Sequence, residues 1–94
     1  MDENEARLVL EQELAKYRGR PYSELALLEG RTERFERIAP SGTVYRIEIQ
    51  VLSDEKQRRS LRVQGAIDDG GFWRAMIPLT DDFIILPNGS FVGE

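Results

Sequence analysis

Thr43-Val44-Tyr45-Arg46-Ile47-Glu48-Ile49-Gln50-Val51-Leu52 alternates without a break. Tyr45, Ile47, Ile49 and Val51 fall on one side of an extended chain. Val44, Arg46, Glu48 and Gln50 fall on the other. A period of two over this length predicts a strand with one face in a core and one face in water. Downstream, Leu61, Val63, Gly65 and Ile67 repeat the pattern with Arg62 and Gln64 outward. Phe72 to Ile77 reads as a further strand, with Trp73, Ala75 and Ile77 on one face and Phe72, Arg74 and Met76 on the other. Upstream, Arg31 to Ala39 is weaker. Arg31, Glu33 and Arg37 share a face with Phe35, as expected of an edge strand with little burial.

The turns order these strands. Pro40-Ser41-Gly42 closes a hairpin between the first two, and Asp54 to Arg59 is a longer polar loop between the second and third. Asp68-Asp69-Gly70-Gly71 contains an Asp-Gly core that favours a tight turn with positive φ. Before the strands, Ala6, Leu10, Leu14 and Tyr17 recur at spacings of four, four and three, with Val9 broadening the stripe. A helix from Glu3 to Arg18 follows, with acids at its positive end, Lys16 and Arg18 at its negative end, and Gly19 as its stop. Pro21 opens a shorter helix from Tyr22 to Leu28, ended by Gly30, with Leu25 and Leu28 toward the core. The expected fold is α+β: an N-terminal helix packed on a four-stranded antiparallel meander, in two layers. The tail, with Phe83 to Leu86 and the Pro87-Asn88-Gly89 turn, adds a short fifth strand or wraps the sheet.

The chain has 94 residues, no histidine and no cysteine, and a net charge of −4 from 13 basic and 17 acidic side chains. That length suits a single domain, residues 1–94. Without His there is no imidazole base. Without Cys there is no thiolate nucleophile, disulfide or structural zinc site. The acidic balance argues against a general nucleic-acid or anionic-membrane binder. Met1-Asp2-Glu3-Asn4-Glu5 is acidic, unlike a signal peptide, and the longest apolar run, Phe83 to Leu86, is far short of a membrane span. A cytoplasmic, non-enzymatic protein without cofactor is expected.

The charge is unevenly spread. Residues 31–62 carry eight Lys or Arg against five acids, a local +3, and the remainder carries −7. Arg34, Arg46 and Arg62 form a cross-strand row if the register allows, with Arg58 and Arg59 in the adjoining loop. Such a row fits an acidic partner, a phosphate or RNA. Glu36 and Glu48 lie on the same outward sets, so ion pairing across a solvated sheet fits the same residues. No aromatic motif of an RNA-binding sheet accompanies the arginines, which disfavours nucleic acid.

Asp68-Asp69 and Asp81-Asp82 are two acidic pairs that could supply oxygen ligands to calcium or magnesium if they converged. Neither has the spacing of a calcium loop, and each fits turn chemistry, in which Asp bonds its own backbone. Gly70-Gly71 leads into strand rather than helix, so it is no phosphate loop. With Trp73 inward, Phe72, Arg74 and Met76 form an apolar-plus-arginine patch of the kind found in binding surfaces. Phe83 to Leu86 cannot all be buried on one face. One side must be covered by the helix, by the tail or by a second copy of the chain.

Ile67-Asp68-Asp69-Gly70-Gly71, Arg74-Ala75, Pro78 to Ile84 and the closing Gly89 to Glu94 resemble a group of small uncharacterised bacterial proteins. The resemblance covers mainly the last third and more weakly Arg18 to Leu28. It implies a bacterial, cytoplasmic origin, and it assigns no activity and no functional residues. The helix-on-sheet layout also resembles that of cystatins, but their inhibitory Q-x-V-x-G loop is absent, since Leu61-Arg62-Val63-Gln64-Gly65 has its residues in another order. The leading expectation is a protein-interaction module that binds a partner or itself, as a homodimer, through the outer sheet face or an open edge. The candidate face is Arg34, Arg46, Arg62, Phe72, Arg74 and Met76. The alternatives are cation or small-ligand binding at the four aspartates, and anion or RNA binding at the arginines.

Overall fold

A computed structural model describes residues 1–54, 59–71 and 77–94. Helices α1 (Glu3–Arg18) and α2 (Tyr22–Leu27) precede strands β1 (Thr32–Ile38), β2 (Val44–Asp54), β3 (Ser60–Asp68) and β4 (Leu79–Ile85). The strands pair antiparallel in chain order, forming one four-stranded sheet with α1 across one face. The fold is the expected α+β arrangement.

Local chemistry explains each end of α1. The Asp2 side chain accepts a hydrogen bond from the Glu5 amide at 3.1 Å, satisfying one of the amides that a helix start leaves unpaired. Glu3 and Glu5 lie in the first turn, Lys16 and Arg18 in the last, each sign matched to the helix dipole. The apolar stripe is buried as its spacing predicts: Ala6, Val9, Leu10, Leu14 and Tyr17 face the sheet. They meet Tyr45, Ile47, Ile49 and Val51 from β2, Leu61, Val63 and Ile67 from β3, and Phe83 and Ile85 from β4. α2 is one residue shorter than its expected range, yet Leu25 is fully buried and Leu28 packs against the core.

Gly65 is the close-approach point of this core. A Cβ placed there would lie 2.8 Å from Leu10 Cδ1, 3.2 Å from Ile49 Cδ1 and 3.3 Å from Leu14 Cδ2. Two helix side chains therefore occupy the space that any other residue on β3 would fill. The missing side chain lets Leu10 reach the sheet, where its full burial is worth about 1.5–3 kcal/mol.

The fourth strand lies later in the chain than the sequence suggests. The neighbour of β3 is Leu79–Ile85, with Ile67 opposite Leu79 and Val63 opposite Phe83. The expected strand at Phe72 to Ile77 lies outside the described residues except for Ile77, which sits in a bend and is 66% exposed. Asp68 and Asp69 do not make a two-residue hairpin. Each side-chain Oδ1 accepts the amide two residues on, from Gly70 at 2.8 Å and Gly71 at 3.0 Å, with Gly70 at φ +84°. Two successive Asx turns thus begin a connection over 69–78, rather than the tight turn that the Asp-Gly pair favours.

The tail wraps β4 and contributes one bridge, Ile85 to Phe91, rather than a fifth strand. Leu86 N–H donates to the Ser90 carbonyl at 2.8 Å, and Val92 N–H to the Ile84 carbonyl at 2.9 Å. Phe91 meets Phe83 edge-to-face at 5.5 Å, and the Arg18 guanidinium lies over both rings while bonding the Glu94 carboxylate. Of the apolar run Phe83 to Leu86, Phe83 and Ile85 are therefore buried beneath the helix and the tail, while Ile84 and Leu86 stay half-buried.

Gly65→Ala is expected to cost about 1–3 kcal/mol in chemical denaturation, the usual penalty for overpacking a filled site. The cost should shrink in a Leu10→Val background, which removes the nearest obstructing atom. Equal losses in both backgrounds would show that the helix does not sit against Gly65.

Candidate interaction surface

With α1 on one face, the outward residues of the strands form the other. The registers fix their neighbours. Glu36, Arg46 and Asp68 make one cross-strand row, and Arg34, Glu48, Ala66 and Thr80 the next. Thr32, Gln50, Gln64 and Asp82 follow, then Leu52, Arg62 and Ile84. Arg34, Arg46 and Arg62 thus stand in three different rows, not one. The β1–β2 hairpin pairs Arg34 with Glu48, which displaces it from Arg46, and β3 places Arg62 opposite Leu52.

Each of these arginines has a carboxylate. Arg34 Nε donates to Glu48 at 3.0 Å, and Arg46 Nε to Asp68 at 2.8 Å. Arg62 bonds Asp82 and lies 3.4 Å from Asp54. Among the described residues these arginines form no unbroken positive stripe, because each meets an acid from its own row or the next. Exposed pairs of this kind contribute about 0–1 kcal/mol each, so charges on this face can be changed without losing the fold. Arg58, Phe72, Arg74 and Met76, with Trp73, lie outside the described residues.

The face is concave at one end. A hollow of about 620 Å³ is lined by Arg34, Glu36, Arg46, Glu48, Ala66 and Asp68 with Phe35, Ile47 and Pro78. Ala66 leaves the gap in the middle row, and Pro78 forms part of its rim. Beyond it, the cross-strand pair Ile38 and Val44 is 70% and 43% exposed. Outward alternation already placed Glu36 and Glu48 beside the arginines; Asp68, Ala66 and Pro78 are companions it did not indicate. The legible signal was the alternation of charge sign along the outward positions.

The four aspartates do not gather. Gln64 pairs with Asp82, so Asp68 lies four residues along β3, about 13 Å away at 3.2–3.4 Å per residue. Asp81 stands opposite Gly65 on the helix side. Among the described residues no three acids are placed to hold a metal ion. Asp69 titrates below the ordinary carboxylate range because the Gly71 amide donates to it.

Comparison adds no relative. No family model, curated protein or solved structure matches the chain. Among the described residues, no helix is long and apolar enough to cross a membrane.

The helix side holds a second polar system, which fixes the layers to each other. Glu13 is only 4% exposed and is bonded by Lys16 at 3.0 Å and by Arg37 of β1 at 3.1 Å. Tyr17 donates to Glu33 at 2.5 Å. Tyr45 donates to Glu5 at 2.9 Å, and Ser41 donates to the same oxygen at 2.7 Å. Burial, then the bond to Glu5, pushes the Tyr45 phenol up to about 12. Burial and Glu33 raise Tyr17 as well.

A raised phenol favours the folded state fully below the unfolded value of about 10, and that contribution fades as pH climbs toward the folded value. Unfolding free energy should therefore fall between pH 10 and 12. Tyr45→Phe removes the group and is expected to flatten part of that decline, measured by urea denaturation at stepped pH. An unchanged slope would place the alkaline sensitivity elsewhere.

Proposed function

We propose that this chain is a non-enzymatic protein-interaction domain whose open sheet face receives a segment of a partner protein. The observation that carries this reading is the hollow over Ala66, a concavity on a face that no described element covers. Exposed Ile38 and Val44 supply apolar contact beside it. Its ionised lining, two arginines against three acids, favours a segment with an apolar anchor and a basic flank. The chemistry available supports binding over catalysis. The chain carries neither His nor Cys, and every described acid of the two aspartate pairs is engaged by an arginine or a backbone amide.

Cross-linked capture from the expressing cell, followed by amide exchange on the recovered complex, tests the reading. Protection is expected at Arg34, Glu36, Arg46, Glu48 and Ala66. Ala66→Arg, which fills the hollow and adds a cation, should weaken capture at least about tenfold, a change of 1.4 kcal/mol. Leu8→Arg, on the exposed side of α1, should not. Capture that is indifferent to Ala66→Arg would overturn the assignment of this face.

A further inference from the structure

The two edges of the sheet differ. The tail bonds the end of the β4 edge at Ile84 to Leu86, whereas no described segment pairs with any part of the outer edge of β1. The sequence of that open strand is Thr32-Glu33-Arg34-Phe35-Glu36-Arg37-Ile38. Its charges invert in sign about Phe35. If a second copy of the strand runs antiparallel with Phe35 opposite Phe35, then Arg34 faces Glu36 and Glu33 faces Arg37, on both sides of a twofold axis. The geometry points to a homodimer in which two β1 strands pair edge to edge, joining two four-stranded sheets into one.

The backbone supports that register. Arg31 C=O accepts from Val51 N–H, and Ala39 N–H donates to the Thr43 carbonyl, so the odd-numbered residues of this stretch bond inward to β2. Antiparallel pairing alternates, which leaves the N–H and C=O groups of Thr32, Arg34, Glu36 and Ile38 directed at the open edge. Centring on Phe35 sets Arg34 against Glu36 and Thr32 against Ile38, all with outward groups, for about eight new backbone hydrogen bonds. The neighbouring registers that also match outward groups centre on Arg34 or on Glu36. They put Arg34 against Arg34 or Glu36 against Glu36, and like charges directly opposite are destabilising. Backbone and charge thus select the same register.

The side chains fit on both faces. Arg34 and Glu36 lie on the outer face, where a second copy would continue the alternating ion-pair pattern. On the helix side, Glu33 already accepts from Tyr17, and Arg37 donates to Glu13 and Gln12. Pairing Glu33 with the second copy's arginine would link the two clamps into one network across the axis. A strand that only needs to repel other strands requires charge of any sign. An edge with self-complementary order is suited to one partner, a second copy, in an isologous contact.

This inference rests on the interaction-domain reading but uses the backbone edge of β1; Arg34 and Glu36 also line the hollow, so Ala66→Arg, which should leave self-association intact, lets the two fail separately. Light scattering on the wild-type chain should show mass rising toward twice the monomer's with concentration. Across the same series, amide exchange at Thr32, Arg34, Glu36 and Ile38 should slow, while Glu33, Phe35 and Arg37 change little. Arg34→Glu and Glu36→Arg should each weaken self-association at least about tenfold. Mixed together they should form a one-to-one dimer, because the mixture restores opposite charges at both positions. A wild-type monomer throughout the series, or a dimer whose β1 amides do not slow, overturns the edge pairing. Capture at the Ala66 hollow would be unaffected by that outcome.

Discussion

The approach of α1 to β3 at Gly65 is the constraint from which the rest of the arrangement follows. Leu10 and Leu14 fill the space a β3 side chain would occupy, so the helix can sit close over β3 and β4. All the large buried apolar side chains then fall on one side of the sheet. Among the described residues the other side carries no second layer, and it presents a largely polar and charged lattice interrupted by Ala66. With the helix placed toward β4, β1 is tied to it by long polar side chains beside Phe35, which packs against the core. Arg37 and Glu33 make that connection, and Glu13 is buried because two cations meet it.

Much of the fold was legible where one period dominated. β2 alternates strictly, and α1 carries its cap, its stripe and its dipole charges in sequence. β4 was obscured for two physical reasons. Asp68-Asp69-Gly70-Gly71 has the composition of a tight hairpin, yet both aspartates turn onto their own backbone and open a longer connection. Phe83 to Leu86 is apolar at four consecutive positions, which hides the alternation that places only Phe83 and Ile85 inward. Asp81, opposite Gly65 at the helix-side edge, looked like part of a turn.

The candidate surface was legible residue by residue but not as a pattern. Arg34, Arg46 and Arg62 are outward, as alternation requires. Whether they form one stripe or three separate pairs depends on register, and register depends on the turn that joins the strands. In the β1–β2 hairpin, Ala39 N–H bonds the Thr43 carbonyl, which sets Arg34 against Glu48. A single-residue slip would have changed every neighbour. The same register directs the backbone of the even-numbered β1 residues outward, so it governs the open edge as well as the charged face.

The arrangement can be checked at its central contact in solution. Nuclear Overhauser effects from the methyl groups of Leu10 and Leu14 to the Gly65 α-protons report whether the helix lies against β3. Strong effects are expected at Gly65 and none from those methyls to the Ala66 methyl, which faces the opposite side. Effects at Ala66 with silence at Gly65 would contradict that arrangement.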